Sequence, residues 1–263
     1  MTPRLRLTRT SGIGLGIAVI WFSLLVLIGL LAVLVRSMSG GWSVFVNTLA
    51  SPQTAHAIVF TVAEALVVTL INSGAGTVIA WVLVRDEFPG KRLVEIVIDI
   101  PFALPTIVAG LVLITLYGPG TPFDIANTRY GVLVALLFVT LPFVVRSVEP
   151  VLMELEAEVE EAAASLGASR TTIFRRVILP ALMPAITAGA ALSFARGISE
   201  YGSLVLVSGN LPFKTEVASV RIISYIEGDQ VQQAAAVAAV LLVVALIVII
   251  TLDLISRRVA RYE

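Results

Sequence analysis

The sequence predicts an all-α membrane protein built on six transmembrane helices. Three observations carry that prediction. Of 263 residues, 58% are hydrophobic and only 14% are charged, with a mean hydropathy of +0.99; a soluble domain carries about 25% charged and about 45–50% apolar residues. Six stretches are apolar for about 20 residues or more, the length of helix that crosses lipid with its backbone groups satisfied internally. Lysine and arginine also fall unequally on the two sides that these stretches define.

Composition excludes several functions. The 18 basic and 18 acidic residues cancel, so no net field draws nucleic acid. Without cysteine there is no disulfide framework, thiol catalysis or Cys-based zinc site. One histidine, His56, cannot make a His-rich metal cluster.

The first span covers 13–35. Arg4, Arg6 and Arg9 precede it as in a signal peptide, but its apolar core is long and Val35-Arg36-Ser37-Met38 offers no small-x-small cleavage site. It is read as uncleaved. The second, 57–84, carries Thr61, Glu64 and Asn72 within an arc of about 80°; such a stripe faces the protein interior, for packing or for a pathway. The third, 94–117, opens Asp99-Ile100-Pro101-Phe102-Ala103-Leu104-Pro105-Thr106, and its two prolines bend it. Asp99 is expected near the inner interface and is not read as a substrate ligand. The fourth covers 131–152.

The fifth, 182–207, holds Arg196 and Glu200 four residues apart, able to pair on one face. An internal strut and an anion-facing arginine are both compatible with that spacing. Ala185, Gly189, Ser193 and Gly197 form a ladder of small residues that lets another helix approach closely. The sixth, 234–255, is uninterrupted aliphatic sequence from Val237 to Ile250. Its outer neighbour, 208–233, carries Lys214, Glu216, Arg221, Glu227 and Asp229; it suits either contact with an external soluble partner or a solvated face, and the solvated face is the expectation.

Thirteen basic residues lie on one side: Arg4, Arg6, Arg9, Arg85, Lys91, Arg92, Arg146, Arg170, Arg175, Arg176, Arg257, Arg258 and Arg261. Four, Arg36, Arg129, Lys214 and Arg221, lie on the other, and Arg196 is within a span. Both termini are therefore expected to be cytoplasmic. No internal repeat is apparent.

The inner loop 154–180 is rich in Glu and Ala, which favour helix. Gly167 can end that helix in a left-handed turn, Ser169 can cap a second short helix, and Pro180 and Pro184 mark the next span. The predicted helix–turn–helix exposes an alanine patch, Leu166 and Phe174. Six glutamates between 149 and 161 argue against rest on anionic headgroups; Phe174 suits a docking pocket.

Here the sequence resembles a family. Glu161-Ala162-Ala163, three residues, Gly167, nine residues, Val177, one residue, Leu179-Pro180 is similar to the EAA loop of ABC importer permeases, with Val177 where Ile is usual. The resemblance implies a type I permease bundle whose cytoplasmic coupling helices dock on a separate ATPase, with Glu161, Ala162, Ala163, Leu166, Gly167, Phe174, Leu179 and Pro180 in that contact. It divides the chain into a cytoplasmic segment 1–12, a first span and outer loop 13–56, a permease core 57–255 and a cytoplasmic tail 256–263. The chain has no phosphate loop of its own: Gly90 and Lys91 fall in sequence, but Arg stands at 85 and 92 where that motif needs Gly and Ser or Thr.

Two further stretches resemble sulfate and molybdate permeases: 99–110, and Ser193-Phe194-Ala195-Arg196-Gly197-Ile198-Ser199-Glu200-Tyr201-Gly202, with Ser199 where Gly is usual. Ser208-Gly209-Asn210-Leu211-Pro212-Phe213-Lys214-Thr215-Glu216-Val217 is similar to the T-type subunit of the sulfate/thiosulfate family. This implies an importer of sulfate, with thiosulfate a second expected substrate, that works with a homologous W-type permease, ABC ATPase subunits and an extracytoplasmic sulfate-binding protein. ATP and Mg would bind the ATPase, and no cofactor, metal or nucleic acid is expected on this chain. Arg196, Glu200, Glu64, Asn72 and Ser193 are the candidate pathway or gating residues. Alternatives are a molybdate or tungstate permease, a stand-alone secondary transporter, and a membrane-embedded enzyme; the last lacks a nucleophile–base constellation.

Overall fold

Long apolar runs become helices because lipid offers no other partner for the backbone. The structure, a computed structural model, describes residues 9–155 and 157–259. Arg4, Arg6, Glu156, Arg261 and the side chain of Arg9 lie outside them. All regular structure among the described residues is helical.

Helix α1 (Ser11–Met38) is apolar all round and buries none of its most apolar window within the chain, as suits a helix facing lipid or another subunit. Its last turns rest on the final helix. A short α2 (Gly41–Ala50) leads into α3 (Pro52–Arg85). Pro52 fits the first helical turn, where its missing N–H costs no bond. This helix begins five residues before the predicted span, so His56 is on it rather than in an outer loop.

The third predicted span is not a single rod. Helices α4 (Lys91–Ala103) and α5 (Thr106–Tyr117) meet at Leu104–Pro105 and diverge by 119°. At 1.5 Å per residue they are about 20 Å and about 18 Å long, so neither crosses the lipid core alone. Pro105 removes an N–H donor and forces extended backbone on Leu104, at φ −87° and ψ 135°.

Helix α6 (Arg129–Glu154) is the central post, capped by Thr128, whose hydroxyl accepts the Gly131 N–H. Val144 on α6 is wholly buried between two glycines. A Cβ on Gly76 of α3 would lie 2.8 Å from the Val144 Cβ, and one on Gly189 would lie 2.9 Å from its Cα. Backbone approach of this kind supplies dispersion contact, the main packing term between helices in lipid.

After α6 come α7 (Ala157–Ser165) and α8 (Arg170–Ile198). Helix α8 passes through a π turn at Phe174–Ile178, just before Pro180 and Pro184, neither of which can donate a helical hydrogen bond. The predicted second short helix is thus the first turn of the fifth span. That span ends early: Ile198 closes α8, residues 199–201 are irregular, and α9 (Gly202–Val207) follows. An outer loop and α10 (Ala218–Glu227) lead to α11 (Val231–Val259). The two largest apolar clusters among the described residues lie one near the α7 end around Val145, Val148, Leu152 and Leu182 and the other toward the opposite end around Val68, Leu136, Leu204 and Val217. The α7 end is the inner end of the bundle and the end around Val217 the outer, following the orientation expected from the basic residues.

Candidate functional site

Helix α7 and the start of α8 form a bent hook on the inner side. Glu158 and Glu160 stand in the first turn of α7, where they complement the helix dipole. The helix ends in paired reversals: the Ala168 N–H bonds the Ala163 carbonyl at 3.1 Å and the Gly167 N–H bonds Ala164 at 2.9 Å. This Schellman closure needs a left-handed residue, and Gly167 supplies it at φ 85°. Ser169 caps α8 by accepting the Thr172 N–H at 3.3 Å.

The hook has two faces. Ala163, Ala168 and buried Ile173 pack on the inner cluster. Glu161, Ala162, Ala164 and Gly167 are exposed, and Leu166 is 90% exposed. Phe174 keeps 39% exposure but sets its ring edge-on to Trp81 of α3 at 5.9 Å; it is partly an internal contact. Leu179 and Pro180 are half-buried in the body of α8. The Arg85 guanidinium, 5.5 Å from the Trp81 ring, bonds Glu160 at 2.5 Å. The hook is thereby tied to the inner end of α3.

Arg196 and Glu200 do pair, at 2.7 Å, but not along one continuous helix. Glu200 lies beyond the end of α8 with its side chain fully buried, while Arg196 keeps 29% exposure. The other Glu200 oxygen accepts the Ser203 N–H at 2.8 Å and the Ser203 hydroxyl at 2.9 Å, and the Glu200 carbonyl accepts the Ser219 hydroxyl at 2.7 Å. The Glu200 carboxylate thus joins the end of α8 to the start of α9, and its backbone carbonyl ties in the start of α10. The small-residue ladder packs inward: Gly189 meets Val144 and Ser147, and Gly197 faces Ala65 and Thr140. Ser193 is buried, and its hydroxyl has no hydrogen-bond partner among the described residues.

The α3 stripe divides in use. Asn72 donates to the Thr140 hydroxyl at 2.8 Å and the Leu137 carbonyl at 3.3 Å, binding α3 to α6. Thr61 accepts the Ala218 N–H at 2.8 Å, at the start of α10. Glu64 is half-buried with no hydrogen bond or ion pair among the described residues.

Two polar assemblies were not legible in sequence. Arg146, expected on the inner side with the loop arginines although it falls in the predicted span 131–152, lies within α6. It grips Asp99 of α4 with two bonds, 2.8 Å and 2.5 Å, and reaches Glu149 at 2.5 Å. The broken third span is held to the central post there. On the outer side Gln53 bonds Glu216 at 2.7 Å. The Arg221 guanidinium lies 4.4 Å from the Tyr225 ring, and the Tyr225 hydroxyl bonds Thr54 at 2.7 Å. The expected solvated face is therefore wrong for Glu216 and Arg221, which are internal; Lys214, Glu227 and Asp229 are exposed. The only signals were isolated charges next to apolar sequence. Among the described residues no cluster of His, Asp and Glu could hold a metal ion.

Residues 72–261 match the family described as binding-protein-dependent transport system inner membrane component. The chain is 44% identical over 255 residues to the sulfate transport system permease protein CysT of Synechocystis, covering 94% of this chain and 89% of that one. It is 38% identical over 258 residues to the protein of that name from Salmonella typhimurium, covering 95% and 93%. A chain in the crystal structure of a bacterial ABC transporter involved in the import of the acidic polysaccharide alginate superposes with a TM-score of 0.74, at 18% identity and over 92% of both chains. At that identity the superposition shows the shared fold.

Proposed function

The chain belongs to the family of binding-protein-dependent transport system inner membrane components, and from that premise we propose that it is the T-type permease subunit of an ATP-driven sulfate importer. Its near full-length relatives named as sulfate permeases support the substrate. It pairs with a homologous W-type permease, receives sulfate from an extracytoplasmic binding protein, and docks on ATPase subunits that hold ATP and Mg. Thiosulfate is a second expected substrate, and both termini are cytoplasmic.

The observation that carries the coupling is the hook: one face is locked to the bundle through Arg85–Glu160 and Ile173, while Leu166, Glu161 and Ala162 are bare. Force applied at the bare face moves α3 and α8 together. Helix α8 transmits it to Arg196 and the break at 199–201. There the buried Glu200 makes α8, α9 and α10 respond as one unit, and the bundle alternates between inward-facing and outward-facing forms. No covalent chemistry takes place on this chain.

The test is uptake in proteoliposomes holding this chain, the second permease and the ATPases, with labelled sulfate and its binding protein. ATP-dependent sulfate accumulation, resistant to molybdate competition, supports the reading. Accumulation of molybdate or tungstate instead replaces it with the other oxyanion importer.

A further inference from the structure

His56, Phe60 and Glu64 follow one another at four-residue intervals down one face of α3, one above the next. Across them lies Arg129, the first residue of α6. Its guanidinium carbon sits 5.6 Å from the centre of the Phe60 ring, and its Nε donates to the Lys214 carbonyl at 3.3 Å. Ring and carbonyl fix the guanidinium in place, yet its two terminal nitrogens have no partner among the described residues. The outer loop closes on the same stripe: Phe213, held in the left-handed region at φ 61°, meets the His56 ring edge-on at 6.0 Å.

Glu64 shows what this face borders. It lies about 18 Å from the outer end of α3, itself about 51 Å long, which puts it inside the lipid core. A half-buried carboxylate with no hydrogen bond or salt bridge is not tolerated against acyl chains, so this face of α3 borders water or a polar partner. Glu64 stands one turn of α3 below Phe60, the ring beside which the Arg129 guanidinium sits.

Resting on the sulfate reading above, we propose that Arg129 is the anion-binding residue of the outer mouth of the pathway. Its free guanidinium edge takes the oxygens of a sulfate dianion as it arrives, with Glu64 the counter-charge beneath it. A planar fork of N–H donors matches two oxygens of a tetrahedral oxyanion. The negative charge below keeps the well shallow, and a permeant ion must leave as well as arrive.

The test uses the reconstituted complete transporter. With Arg129→Gln, sulfate uptake at saturating loaded binding protein falls about tenfold or more, whereas Arg129→Lys, which keeps the charge, retains at least a third. A second readout uses the absence of cysteine in this chain. With Glu64→Cys, an anionic membrane-impermeant thiol reagent added outside reacts several-fold faster than its cationic counterpart, and sulfate slows it. Adding Arg129→Gln abolishes that preference. Unchanged uptake in Arg129→Gln, equal loss in the Gln and Lys variants, or no labelling of position 64 from outside overturns the assignment. If the unsubstituted complex takes up no sulfate, the functional reading and this one fall together; normal sulfate uptake in both Arg129 variants sinks only this one.

Discussion

Arg85, at the inner end of α3, holds Glu160 of the hook 2.5 Å from its guanidinium. Both side chains keep about a quarter of their exposure, 25% and 24%, so water competes for each and the pair contributes on the order of 1 kcal/mol. Its importance is mechanical: apart from the chain's own connections, it is an ionic tie between hook and bundle. Arg85→Glu or Glu160→Arg should each lower ATP-coupled uptake several-fold, and the double exchange should restore most of it. A double exchange no better than the single ones would remove this pair from the coupling route.

Gly189 should tolerate no side chain. A methyl there meets the Val144 backbone at 2.9 Å and the Ser147 Cβ at 3.1 Å, and overpacking costs about 1–3 kcal/mol, more than the roughly 0.5–1 kcal/mol alanine gains over glycine within a helix. At Gly29 of α1 nothing lies within 4 Å of the added atom, so only the gain remains. Gly189→Ala should melt several degrees lower in detergent, and Gly29→Ala should not. Equal melting of the two would mean that α6 and α8 are not in backbone contact there.

Much of this fold is written in one-dimensional pattern, because crossing lipid demands long apolar runs. The hook was legible for a different reason: Gly167 and Ser169 are local signals, and the turn they specify is local. The break in the fifth span was not, since Arg196 and Glu200 at four-residue spacing read as a pair on one continuous helix; Glu200 makes the break by turning back onto the Ser203 N–H. The prolines announced a bend in the third span but not its 119°, which accompanies the close approach of Gly110 to Ser203 of α9. Arg146–Asp99 and Gln53–Glu216 join residues 47 and 163 apart in sequence, and no periodicity encodes such pairings.

The two partners in the Arg196–Glu200 pair are unequal, and that makes an ordering. Arg196→Ala leaves a fully buried carboxylate without its cation, a loss of about 3 kcal/mol for breaking a buried pair. Glu200→Gln removes the charge but leaves an oxygen for the Ser203 N–H, and Arg196, 29% exposed, can turn to water. Arg196→Ala should therefore be the less stable protein and impair uptake more, and adding Glu200→Gln to it should recover stability. The reverse order in a detergent melting series would show that Glu200 is held chiefly by Ser203 and Ser219.

Gly167 separates conformation from contact within the hook. A Cβ there touches nothing within 4 Å, so any penalty comes from φ 85°, about 1–2 kcal/mol for an ordinary L-residue. Asparagine visits that region more readily, so Gly167→Asn should keep most coupling and Gly167→Ala less. Gly167→Asp adds a charge beside Leu166 and Glu161 on the bare face, where an ATPase surface would lie. It should insert and melt like Gly167→Ala yet fail to assemble with the ATPase or to couple its hydrolysis to uptake, read by co-purification and by ATPase turnover. Coupling in Gly167→Asp equal to that in Gly167→Ala would mean that the bare face docks on nothing.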